Sequence, residues 1–266
     1  MSSTQSLLLL AALVLPGARV GAQEAKHMQM AMQPGADRMK VSVRSPSDGS
    51  RVTGDEVTLR VATSGFTNRC DLAGKPVQPG TGHYHVLLDK SLVDMYCGER
   101  ATISLAGVQP GSHTLTVVPA QNDHTEIEYN ATAVKIDYEP ASVKPLPRAA
   151  GPAGKPAIRI VSPKSGETVS GAFDVKIDAS NFDLACDEMG KPNVPGHGHW
   201  HLNFDTMEGP MMGMMTMAGM SCVRTLHAST AGLKPGSTHK LIALLADNAH
   251  APIMPAVTDS VTVRVE

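Results

Sequence analysis

Two short stretches carry residue types that hold metal ions: Gly82-His83-Tyr84-His85-Val86-Leu87-Leu88-Asp89 and Gly198-His199-Trp200-His201-Leu202-Asn203-Phe204-Asp205. Read as β-strands, their side chains alternate between two faces. Tyr84, Val86 and Leu88 share an apolar face, as do Trp200, Leu202 and Phe204. The opposite faces carry His83, His85 and Asp89, or His199, His201 and Asp205. Imidazoles at i and i+2 on one strand face lie close enough to share one ion, and neutral imidazole is the commonest metal ligand. His124 and His250 recur at matched positions further on and are the candidate third ligands. Their alternative role is to bond a carbonyl in a turn. Three imidazoles with an open fourth position suit copper or zinc. His113 and His239 each begin a strand beside apolar residues and read as structural. Asp89 and Asp205 read as ligands, or as groups that orient the imidazoles.

The second repeat has nine more residues between its aspartate and its next cysteine than the first. They belong to a stretch from Met207 to Met220 with seven methionines in fourteen residues. Glycines interrupt it and the first repeat dispenses with it, so it reads as an exposed thioether-rich loop. Met211, Met212, Met214, Met215, Met217 and Met220 are its candidate ligands. Soft thioethers select Cu(I). The other functional reading is an adaptable apolar surface for a partner. His197, where the first repeat has Thr81, adds an imidazole near the second site.

Short alternating runs between turn residues must position these groups. About seven strands from Val41 to Tyr138 read as an antiparallel β-sandwich of immunoglobulin-like, or cupredoxin-like, type. The pattern then repeats. Cys70-Asp71, Gly74-Lys75-Pro76 and Pro79-Gly80 return as Cys186-Asp187, Gly190-Lys191-Pro192 and Pro195-Gly196. The expected organisation is a signal peptide over 1–22, a disordered His/Met-rich arm over 23–39, and a first sandwich over 40–138. A Pro/Ala/Gly linker over 139–157 and a second sandwich over 158–266 follow. The arm holds His27, Met28, Met30 and Met32, a further set suited to Cu(I).

The four cysteines fall two per repeat, and an exported chain pairs them as Cys70–Cys97 and Cys186–Cys222. A thiolate metal ligand is the alternative. With 266 residues, a formal charge of −2 and 3% aromatics, the chain lacks the basic face that nucleic acid requires. No nucleophile–base pair or acid–base carboxylate pair marks an enzyme.

The Gly-His-x-His-strand-Asp motif, with Pro-Gly-x-His-Thr-Leu and a later Asn-x-His, resembles a family of small exported bacterial domains of unknown function. The resemblance covers Gly82 to His124 and Gly198 to His250, and family members carry a third consecutive histidine where Tyr84 and Trp200 stand here. It implies the domain type and no activity. The expectation is therefore a periplasmic or extracellular metal-binding protein, not inserted in a membrane once its signal is removed. It would serve as a copper chaperone, buffer or resistance factor holding Cu(I) or Cu(II), with zinc as the other candidate ion. Its partner would be a copper transporter or copper enzyme. The competing expectations are a metal-free interaction module of the cell envelope and a copper-dependent redox enzyme.

Overall fold

Alternation of apolar and polar residues over runs of five to ten turns this chain into strands. The computed structural model describes residues 34–146 and 151–266, with the side chains of residues 210 and 211 outside the description. In the first repeat the strands are β1 (Lys40–Ser45), β2 (Ser50–Val52), β3 (Glu56–Ser64), β4 (Thr67–Asn68) and β5 (Thr81–Leu88). They continue as β6 (Ser91–Tyr96), β7 (Arg100–Ser104), β8 (Gly111–Ala120) and β9 (Thr132–Tyr138). The second repeat supplies β10 (Ala157–Ser162), β11 (Thr168–Val169), β12 (Ala172–Ser180), β13 (Asp183–Leu184) and β14 (His197–Phe204). It ends with β15 (Met217–Ser221), β16 (Thr225–Ser229), β17 (Thr238–Ala246) and β18 (Thr258–Val265).

Each repeat is a sandwich of two sheets. In the first, β1-β3-β7 faces β2-β9-β8-β5-β4, with β6 also on the edge of β5; in the second, β10-β12-β16 faces β11-β18-β17-β14-β13, with β15 on β14. The topology is the same strand for strand, which makes the duplication physical. Val57, Leu59 and Val61 of β3 meet Tyr84, Val86 and Leu88 of β5 in the first core; Trp200, Leu202 and Phe204 lie in the second. At roughly 1.5–3 kcal/mol for each fully buried large apolar side chain, these two clusters supply the main drive to fold.

Both disulfides form as expected, Cys70–Cys97 and Cys186–Cys222. Each ties the end of an edge strand, β6 or β15, to the segment leading into the histidine strand. Replacing both cysteines of one bridge by serine should lower stability in chemical denaturation by about 3–4 kcal/mol. A loss below about 1 kcal/mol would show that the closed loop does not constrain the unfolded chain.

Two expectations change. Residues 34–39 are not part of a disordered arm: Ala36–Arg38 is a 3-10 turn, and Met39 packs with Ala36 and Ile127. The signal segment and the rest of the arm lie outside the described residues. The methionine stretch is also not an exposed loop. Pro210–Gly213 forms a helical turn, Met214–Thr216 a 3-10 turn, and Met217–Ser221 is β15 itself. Met217 is buried, and Met212, Met214, Met215 and Met220 are half-buried. The reason is Asn203, whose Nδ2 donates to Gly213 O at 2.6 Å and Thr216 Oγ1 at 3.1 Å, fastening the insertion over the sheet.

Candidate metal centres

The histidine faces of β5 and β14 do not meet solvent. They are buried like the core faces behind them, because each repeat covers the histidine face of the other. Four cross-repeat contacts come in matched pairs. His124 Nε2 donates to Met217 O at 2.8 Å, and His250 Nε2 donates to Leu92 O at 2.9 Å. Lys75 Nζ reaches Ser229 O at 2.6 Å, and Lys191 Nζ reaches Ser104 Oγ at 3.3 Å. This reciprocity is that of a two-fold interface folded into one chain.

The repeated Gly-Lys-Pro motif forms the clasp. Gly74 N donates to Asn122 O at 2.7 Å and Gly190 N to Asn248 O at 2.8 Å, so each docks on the turn that presents the third histidine. A Cβ on Gly74 would sit 2.5 Å from the Met217 backbone, and one on Gly190 2.6 Å from Leu92 O. The glycine of the Gly-His-x-His motif has a similar role within each repeat. A Cβ on Gly82 or Gly198 would meet Ala120 O or Ala246 O at 2.3 or 2.1 Å.

Both triads assemble. His83, His85 and His124 form one cluster and His199, His201 and His250 the other, all between 0 and 4% exposed. In the first, His83 Nε2, His85 Nε2 and His124 Nδ1 make a near-equilateral triangle with sides of 3.0–3.1 Å. Three nitrogens about 2.0–2.1 Å from one ion stand about 2.8–3.4 Å apart for bond angles of roughly 90–109°. The size therefore fits a small cation.

The proton count fits as well. His124 spends its Nε2–H on Met217 O, which leaves Nδ1 as a lone pair. His85 Nδ1 is 2.6 Å from Glu126 Oε1; donating there leaves Nε2 as a lone pair. His83 can put one proton into the triangle, so the contact between His85 and His124 sets acceptor against acceptor. A cation turns that repulsion into ligation. In the second triad His199 Nε2 and His201 Nε2 are 2.9 Å apart. The inward Nδ1 of His250 is buried without a hydrogen-bond partner among the described residues. Pro252 replaces Glu126 there.

The third histidine of each triad sits on left-handed backbone, with φ of 62° at His124 and 64° at His250. Such strain in a residue other than glycine persists where surrounding structure enforces it, and it concentrates at functional sites. Burial, assisted by neighbouring imidazoles, holds His83 and His199 well below the usual histidine range. Burial is also the main cause bringing His124 and His201 to about 3 and His250 to about 4. His201 feels the charge of His124 and His250 that of His85, so the two triads lie within electrostatic reach of each other.

Asp89 and Asp205 take no part in the triads. Each carboxylate instead pairs with the structural histidine expected to be separate from the site: His113 Nδ1–Asp89 Oδ2 at 2.6 Å, and His239 Nδ1–Asp205 Oδ2 at 2.7 Å. They brace a strand corner. His197 joins a buried cluster of its own, with Nδ1 3.2 Å from Glu188 Oε1, while Asn248 Nδ2 donates to Glu188 Oε2 at 2.7 Å. This pair escaped sequence reasoning. Its signal was a joint change between repeats, Leu72 and Thr81 becoming Glu188 and His197.

No family model matches the chain, and no curated protein matches it. Solved structures share the sandwich architecture only distantly. The fibronectin(III)-like modules of Clostridium thermocellum CbhA are 16% identical over 85% of this chain and 94% of theirs, with a TM-score of 0.27. The three N-terminal domains of the bacteriophage RB49 capsid protein Hoc are 13% identical over 86% and 70%, with a TM-score of 0.23. A structure of Dpr11 IG1 bound to DIP-gamma is 11% identical over 85% and 99%, with a TM-score of 0.22. At these scores the likeness carries no argument about the site, and the all-β, two-sandwich assignment rests on the sheets themselves.

Proposed function

We propose that this chain is an exported copper-handling protein, a chaperone, buffer or resistance factor that holds one ion at each triad. The carrying observation is the triangle of imidazole nitrogens at 3.0–3.1 Å, buried and short of protons. Imidazole suits copper and zinc alike; the methionine-rich segment beside the second triad favours copper, and Cu(I) above all. The disulfides agree with a periplasmic or extracellular setting, and among the described residues no helix is long and apolar enough to cross a membrane. Burial of both triads favours storage and hand-over to a transporter or copper enzyme above turnover of a substrate.

The test is titration of the full chain with Cu(I) under anaerobic reducing conditions, and with Cu(II) and Zn(II) in air. Two equivalents should bind tightly. The paired change His83→Ala with His85→Ala, or His199→Ala with His201→Ala, should remove one equivalent each. Zinc uptake without copper uptake would retain a metal protein and reject copper. No uptake of any ion would leave the metal-free interaction module.

A further inference from the structure

A triad leaves a fourth position open, and strand register puts a thioether beside each one. In the antiparallel pair β5–β6, His85 stands directly across from Met95; in β14–β15, His201 stands directly across from Met220. Residues directly opposed share a sheet face, with Cβ atoms about 4.5–5.5 Å apart. The neighbouring pair bears out the register, since Tyr84 and Tyr96 stack on the other face with ring centroids 5.9 Å apart. A methionine sulfur lies two bonds beyond Cβ on an unbranched, adaptable chain, so each thioether has the reach to approach its triad. Met95 and Met220 are both half-buried and line the same cleft between the repeats.

The two methionines are equivalent by descent of the repeat. Each precedes the disulfide cysteine by two residues, as Met95-Tyr96-Cys97 and Met220-Ser221-Cys222. β6 has one methionine, and it falls opposite His85. The second repeat rewrites this strand with a nine-residue insertion and still keeps methionine at that register. The disulfide at the strand end fixes the position in both.

We infer that Met95 and Met220 are the fourth ligands of the two triads, each centre holding Cu(I) with three imidazoles and one thioether. The inference rests on the copper reading above; it adds Met95 to the ligand set and singles out Met220 among the methionines of its segment as the one that serves the second triad. A thioether is a soft donor that carries no proton at any ordinary pH. It adds affinity for Cu(I) and contributes little to Zn(II).

The test compares the full chain with Met95→Leu, Met220→Leu and the double variant, a swap that conserves volume. Cu(I) affinity is read by competition with a chromogenic chelator, Zn(II) affinity by competition, and copper–sulfur scattering by X-ray absorption at two equivalents of Cu(I). Each single change should weaken Cu(I) at one site at least tenfold, leave Zn(II) within twofold, and halve the sulfur signal; the double variant should lose it. Sulfur scattering that survives in the double variant, or Cu(I) affinity within twofold of the parent, would overturn the assignment. Parent protein that binds Cu(I) through nitrogen alone overturns it while the copper reading stands. Parent protein that takes up no Cu(I) overturns both.

Discussion

Gly74→Ala and Gly190→Ala should each cost about 3 kcal/mol or more in chemical denaturation, summing backbone strain and steric overlap. Each should also weaken metal binding at a triad to which neither glycine contributes a ligand. Both residues have positive φ, +68° and +74°, and a Cβ on either would lie 2.5–2.6 Å from the other repeat's backbone. The matching control is Gly236→Ala, where φ is +78° and nothing lies within 4 Å of the added carbon. Strain alone costs about 1–2 kcal/mol there, so the difference reports the contact between repeats. The route to the metal is short. Gly74 holds the Asn122 carbonyl, two residues before His124, and faces Met217, whose carbonyl receives the His124 proton. Pushing the repeats apart at Gly74 therefore tilts the third ligand of the first triad; Gly190 does the same through Asn248 for His250. Equal losses in Gly74→Ala and Gly236→Ala, with metal capacity intact in both, would show that the clasp is incidental.

The strands and the members of the two histidine triads were legible in the sequence because both depend on local periodicity and on repetition. Period-two alternation put Tyr84 and Val86 on one face and His83 and His85 on the other, and the duplicated spacing singled out His124 and His250. The environment of those ligands was not legible, because it depends on how two sandwiches dock. A histidine face on an antiparallel sheet is ordinarily the wet one; here the partner repeat dries it. The Gly-Lys-Pro repeat was visible as a motif, but its meaning lies in contacts between residues more than a hundred positions apart, such as Lys75 with Ser229. The methionine segment was misread because glycines in a run of thioethers resemble a loop, whereas register with β14 and the grip of Asn203 turn it into an edge strand. Met95 was overlooked because one methionine in a strand carries no signal until it is compared with Met220 across the repeat.

Metal-free protein should unfold on mild acidification, and the loaded protein should resist. Five histidines, His83, His124, His199, His201 and His250, are held far below their ordinary value of 6.5, chiefly by burial. Their folded values lie below the unfolded one, so the stability they permit is fully present above about pH 6.5. It is lost as pH falls toward the folded values, because only the unfolded chain takes up protons in that window. Proton uptake by each such histidine in the unfolded chain costs the fold on the order of 1 kcal/mol by pH 5.5, and the five together several kcal/mol, on the scale of a whole domain's stability. His113 opposes this weakly: burial lowers it, but the Asp89 carboxylate and the Gln109 carbonyl raise it above the ordinary value. It therefore stabilises the fold below pH 6.5, though a single half-buried pair cannot offset five desolvated imidazoles. Ions bound at the triads raise stability by mass action and must be displaced before the imidazoles can protonate, so the acid midpoint of the loaded protein should lie at lower pH than that of the metal-free protein. Circular dichroism against pH, with and without two equivalents of Cu(I), measures both midpoints. A metal-free protein stable to pH 4 would show that the triads are wetter and less constrained than the packing of the two repeats requires.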